Sequence, residues 1–194
     1  MTSQIVPSLG DVTLRKKLEE MTNADTEQQY MELLAAAVKN HPNAVILINS
    51  EHPIRRYTCL VYVFGFTEHP EYTDIARSGF NGEYAGPDFA HWMINHRLLT
   101  EISETEVRPG DMVFYFNDEG RLKHAGIYLG RNRIQSKWGK GHLFEHDLFA
   151  VPESYGRTVK YFRKIPFEDA LKSFKQFARE KGIQISNGRV FLQS

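Results

Sequence analysis

One stretch constrains this chain more than any other. Met112-Val113-Phe114-Tyr115-Phe116 is built of apolar, aromatic and β-branched residues, Asn117-Asp118-Glu119-Gly120 follows as a turn, and His124-Ala125-Gly126-Ile127-Tyr128-Leu129 resumes the strand character. Strand formers on either side of a turn cluster predict a hairpin. Residues 134–138 predict a third strand and 158–162 a fourth or fifth, so this half of the chain reads as an antiparallel meander. The first part has a different period. A helix is expected after Asp11, with Leu14, Leu18 and Met21 on one stripe, and a second from Asp25 or Thr26 to about Lys39, where Thr26 and Gln29 have capping-box spacing. Asn40, His41 and Pro42 end it, and Ala44 to Ile48 fits either a short strand or a helix end. Residues 67–87 read as loop, punctuated by Pro70, Gly79, Gly82 and Pro87. Residues 88–98 read as a helix with Phe89, Trp92 and Met93 inward. A last helix has Pro166 in its first turn, Gly182 just past its end, and Phe167, Ala170, Leu171, Phe174, Phe177 and Ala178 on one face. Helices, then strands, then a helix predict an α+β fold.

A chain of 194 residues fits one domain: a helical extension over 1–43, a core over 44–164, and a C-terminal helix and tail over 165–194. Twenty-four basic and twenty-four acidic residues leave no net charge, which argues against nucleic acid or anionic lipid as a partner. No apolar run reaches membrane-spanning length, and the opening residues lack the pattern of a secretory signal. A cytoplasmic location is expected, with delivery by a dedicated secretion apparatus left open.

Cys59 is the sole cysteine, so it cannot form a disulfide within the chain. Propensity alone makes its neighbourhood, residues 55–65, a strand. Thr58 as an N-cap and Gly65 as a closing residue favour a short buried helix instead. In that arrangement Cys59 sits in the first turn, where free N–H groups favour a thiolate, and Arg55 and Arg56 add positive potential. The competing reading is a cysteine acting as a small core hydrophobe. His124 opens its strand ahead of Ala125 and Gly126, which leave space beside the imidazole; alone, it reads equally well as a hydrogen-bonded structural histidine.

Together these segments resemble the NlpC-type papain-like peptidases and the related cysteine–histidine amidases. Arg108-Pro109-Gly110-Asp111 followed by residues 112–116 is similar to the family's turn and first strand. Lys123 to Gly130 is similar to its histidine strand, and Cys59 to Phe64 to its nucleophile helix. The likeness covers about residues 52–163. It implies a papain-like core in which a helix packs on the meander, with helical additions at both ends. It also implies catalytic Cys59 and His124, and a third polar residue twelve positions after the histidine. That position holds Ser136, a weaker orienter than histidine, asparagine or aspartate; Gln135 faces the other side of the strand, and His146 ranks second. Thr58-Cys59-Leu60-Val61 departs from the family's Asp-Cys-Ser-Gly.

What the resemblance implies chemically is amide hydrolysis through a thioester, on a peptide, isopeptide or peptidoglycan-like substrate, with no cofactor. The oxyanion would rest on the Cys59 N–H and a donor near Tyr57. Acyl transfer uses the same residues. A papain-like module without catalysis is the rival from another class. A second rival is zinc at His142-Leu143-Phe144-Glu145-His146, which would need a helix and a distant acidic ligand. His91, His96, Trp92 and Trp138 read as structural.

Overall fold

The computed structural model describes residues 11–39, 41–48, 57–69, 85–138, 142–186 and 189–192. Arg55, Arg56, Gly139, Gly141, Asn40 and most of the expected loop, residues 70–84, lie outside the described residues.

Among the described residues, seven strands form one antiparallel sheet: β1 (Val45–Ile48), β2 (Glu101–Ile102), β3 (Met112–Phe116), β4 (Leu122–Gly130), β5 (Arg133–Lys137), β6 (Leu143–Asp147) and β7 (Thr158–Phe162). Their spatial order is β1-β6-β5-β4-β3-β7-β2. All five residues of β3 are buried, because the central strand is covered on both faces. Met112, Phe114 and Phe116 pack on one side with α3 (Cys59–Val63), α4 (Pro87–Asn95) and α5 (Phe167–Glu180). Val113 and Tyr115 pack on the other with α1 (Val12–Thr22) and α2 (Glu27–Val38). The α+β class is therefore observed, as a sheet between two helical layers.

Local signals act as their chemistry dictates. The Asp11 carboxylate accepts the Thr13 and Leu14 N–H groups and caps α1; Thr26 Oγ accepts Gln29 N–H and caps α2. Pro166 sits at the N-cap of α5 rather than in its first turn, and Gly182, at φ +73°, closes the helix one residue past its C-cap Lys181. The Pro-Gly-Asp turn has a structural explanation. Asp111 is almost fully buried, and its carboxylate accepts the N–H groups of Arg108 and Lys164 and pairs with Arg163 at 2.8 Å, tying the start of β3 to the end of β7. Two features lay beyond the sequence reading: β6, which joins β5 to β1, and a terminal hairpin of β8 (Ile183–Ser186) and β9 (Arg189–Leu192).

Candidate active site around Cys59 and His124

Residues 59–63 are helical despite their β propensity. Thr58 adopts extended backbone and its Oγ1 faces Val61 N–H at 3.4 Å, while Gly65 takes the left-handed conformation (φ +76°) that follows the helix end. Leu60, Val61 and Val63 are buried against the sheet, so tertiary packing overrides local preference. Cys59 stands in the first turn, as expected, and keeps partial exposure.

The sheet is arranged to receive the sulfur. Pairing between β4 and β5 runs from Gly130–Arg133 to Ile127–Gln135; among the described residues, His124, Ala125 and Gly126 form no ladder pair with β5. Tyr128 N–H points toward β3, to the Asp111 carbonyl, so three residues earlier the Ala125 N–H points toward β5. With that ladder open, the Ala125 N–H faces Cys59 Sγ instead, and the N–H groups of Leu60 and Cys59 also favour the ionised sulfur. Burial outweighs them and pushes the thiol up to about 11.

His124 lies on the opposite face of β4. It pairs in register with Tyr115, its ring stacks on Tyr155 at a centroid distance of 4.1 Å, and it is 2% exposed. Its Nε2 is 2.9 Å from Ser136 Oγ, so the two residues proposed to act together do meet. His146 joins them, with Nε2 2.7 Å from the same oxygen, and Trp138 Nε1–H donates to it at 3.0 Å. Gly126 permits the approach, because a side chain there would collide with Ile134 Cγ2 and crowd the Ser136 Cβ.

The donors and acceptors of this cluster fix its protons. His146 Nδ1 faces the Asp147 carbonyl at 2.8 Å; a carbonyl only accepts, so Nδ1 carries the hydrogen and neutral His146 presents a bare Nε2. Ser136 must then donate its hydroxyl hydrogen to His146. Its oxygen receives Trp138 Nε1–H and, by the same logic, His124 Nε2–H. His124 is thereby held with Nδ1 unprotonated, and Nδ1 has no hydrogen-bond partner among the described residues. Burial, then the neighbouring His146, holds His124 well below the usual histidine range, and burial lowers His146 to about 4. Both rings are neutral at physiological pH.

The expected contact between thiol and imidazole is not assembled. No hydrogen bond joins Cys59 Sγ to His124 among the described residues; the sulfur reaches the peptide that follows the histidine, from the other side of the strand. Sequence reasoning also passed over Lys137. It is fully buried on the Cys59 face, with Nζ 4.6 Å from the Tyr57 ring centroid, and burial lowers it to about 8. A lysine next to the position assigned to the orienter was the available signal. The zinc pattern lies on β6 rather than on a helix. His142, just before β6, and His146 are four residue steps apart, about 13 Å in extended chain, and His146 is engaged with Ser136. Among the described residues, no group of three or more His, Cys, Asp or Glu side chains is positioned to hold a metal.

These features define an α+β domain in which a buried serine–histidine relay and a helix-borne cysteine converge on one peptide of the central sheet. The chain belongs to a domain family of unknown function, DUF7689, whose model matches residues 48–163. No curated protein and no solved structure matches it. The match ends before α5 and begins after α1 and α2, so Arg15 of α1, whose Nη2 donates to the Gly156 carbonyl beside Tyr155, lies outside it. Among the described residues, no helix is long and apolar enough to cross a membrane.

Proposed function

We propose that this protein is a papain-like cysteine hydrolase that cleaves an amide bond, in a peptide or isopeptide, through a thioester on Cys59. One observation carries the reading: the Ser136–His146 relay leaves His124 with Nε2–H committed and Nδ1 bare, the tautomer a general base beside a thiol requires. Because thiol and imidazole are both neutral at rest, the chemistry is general-base assisted rather than driven by a standing thiolate. Nδ1 takes the Sγ proton as sulfur bonds to the carbonyl carbon and the C=O π pair moves onto oxygen. Collapse expels the amine, which leaves with the proton from Nδ1; water then attacks the thioester while Nδ1 takes one of its protons, and as the C–S bond breaks and the acid is released that proton passes to Sγ. The Cys59 N–H, in the first turn of α3, is the oxyanion donor that this reading uses. At rest Sγ and the ring lie on opposite faces of β4, so the reading requires a rearrangement of α3 or β4 on substrate binding that puts both on one side. A wall-type peptide remains within this substrate class, and a reducing compartment suits a free thiol.

The test uses the full chain on a mixture of peptide and isopeptide amides, with products read by mass spectrometry. Cys59→Ala and His124→Ala are expected to abolish turnover with unchanged far-UV circular dichroism, and an acyl adduct is expected on Cys59 alone. Full activity in either variant overturns the reading. The separation of sulfur and ring at rest favours one rival, a papain-like binding module. If the folded chain binds such peptides with no turnover and no acyl adduct on Cys59, that rival stands.

A further inference from the structure

We propose that the groove along the first three turns of α5 binds a small anionic amphiphile, a carboxylate or phosphate head on a short apolar body. The site lies apart from Cys59 and His124 and does not depend on the hydrolase reading.

Placement comes first. Asp169, Lys172, Ser173 and Gln176 recur at helical spacing on one side of α5 and form one wall of the groove. Leu98 and Thr100, just ahead of β2, form another. The link between β7 and α5, residues 163–166, supplies the rest. That link is tied to the second wall, because β2 pairs with β7 and the Arg163 N–H donates to the Thr100 carbonyl at 2.9 Å. The enclosed space is about 400 Å³, within the range of small-molecule sites.

The chemistry of the lining comes second. Ser173 is 8% exposed, and its hydroxyl makes no hydrogen bond among the described residues. A buried hydroxyl without a partner costs free energy, and a serine inside a helix commonly bonds the carbonyl four residues back. This one lines the groove instead. Three cations share the same space. Asp111 holds Arg163 Nη1 at 2.8 Å, which fixes the guanidinium and leaves its other nitrogens for a ligand oxygen. Lys164 and Lys172 are exposed and form no ion pair among the described residues. Asp169 is the single carboxylate among the described lining residues, so positive charge prevails locally in a chain whose net charge is zero. Leu98 indicates the apolar part of the ligand: it stays 42% exposed, in a lining that also holds Ile165 and Pro166.

The test titrates the full-length, 15N-labelled chain with hexyl phosphate, hexanoate, inorganic phosphate and hexanol, read by amide NMR. Hexyl phosphate or hexanoate is expected to give saturable shifts confined to residues 98–100 and 163–176. Inorganic phosphate, which lacks the apolar body, should bind about tenfold more weakly, and hexanol, which lacks the charge, should not bind. Lys172→Met and Ser173→Ala should each weaken the anion that binds by about tenfold. Asp169→Asn, which removes the like charge, should tighten it. Shifts that never saturate, or that spread over basic residues elsewhere, overturn the proposal. So does inorganic phosphate or hexanol bound as tightly as hexyl phosphate. Weaker binding in Asp169→Asn places a ligand cation beside that carboxylate and also overturns it. Should Ser173→Ala fail to fold, the exposed substitution Lys172→Met decides alone, and an unchanged affinity there removes the site.

Discussion

At Ser136 a single hydroxyl determines the protonation of two histidines. Its oxygen receives Trp138 Nε1–H and His124 Nε2–H while its hydrogen goes to His146, so all its capacity is used. Ser136→Ala leaves two buried donors and one acceptor unanswered. Unsatisfied buried groups cost about 1–3 kcal/mol each, so a loss of several kcal/mol is expected in urea denaturation. The same variant frees the His124 tautomer, and 15N NMR of the imidazole should change from one protonation pattern to a mixture. Asparagine at 136 is the informative contrast: its carbonyl oxygen accepts from His124 while its amide donates to His146, so more of the tautomer preference should survive than in the alanine variant. The family resemblance, with its third polar residue twelve positions after the histidine, pointed to Ser136 as a neighbour of His124, and the two do meet. The part played by His146 was not legible, because it depends on β6 lying against β5 in the register that sets Ile134 opposite His146.

Elements outside the family match hold this cluster from behind. Arg15 on α1 is 2% exposed and donates from Nη2 to the carbonyls of Pro152, Glu153 and Gly156, at 3.3, 3.3 and 2.6 Å. Those carbonyls flank Tyr155, whose ring stacks on His124. Arg15→Met removes three charge-assisted bonds and leaves the carbonyls without their donor; a cost of about 2–3 kcal/mol follows, read as a lowered urea midpoint with faster amide exchange over residues 152–156. Gly156→Ala is expected to be worse. Its φ of +92° disfavours any side chain, and a Cβ would overlap the Phe116 carbonyl, so poor soluble yield is the expected readout. The elements differ in how far the sequence revealed them. The apolar run of β3 and the turn after it carried their own signals, and Thr58 with Gly65 marked α3 against its propensity. By contrast β6 hides in a five-residue pattern that looks like a metal motif. Val45 to Ile48 could not be resolved between strand and helix until β6 supplied a partner at Val45–His146. Pairing is a property of two segments, and neither segment states it alone.

For the molecule as a whole, the two neutral histidines set an acid limit on folding. In the unfolded chain each titrates near the ordinary value of about 6.5; in the folded chain His146 is lowered to about 4 and His124 lies well below its usual range, both chiefly through burial. Folded-state values below unfolded ones mean that the unfolded chain binds more protons as pH falls through 6.5, so acid favours unfolding. The contribution is fully present above pH 6.5 and is lost on descent. For His146 alone the interval from 6.5 to about 4 corresponds to about 3 kcal/mol, with His124 adding loss in the same direction. Ion pairs near the surface, such as Arg133 with Glu145 and Asp147, contribute little here, since exposed pairs are worth under about 1 kcal/mol. Urea midpoints measured from pH 7.5 to 4.5 should therefore fall steadily below pH 6.5 in the wild type. Replacing both rings at once, His124→Asn with His146→Gln, removes the titrating groups, so the double variant should begin less stable at neutral pH yet show a much flatter profile. Equal slopes in the two proteins would assign the acid sensitivity to carboxylates instead and would contradict a buried, neutral histidine pair.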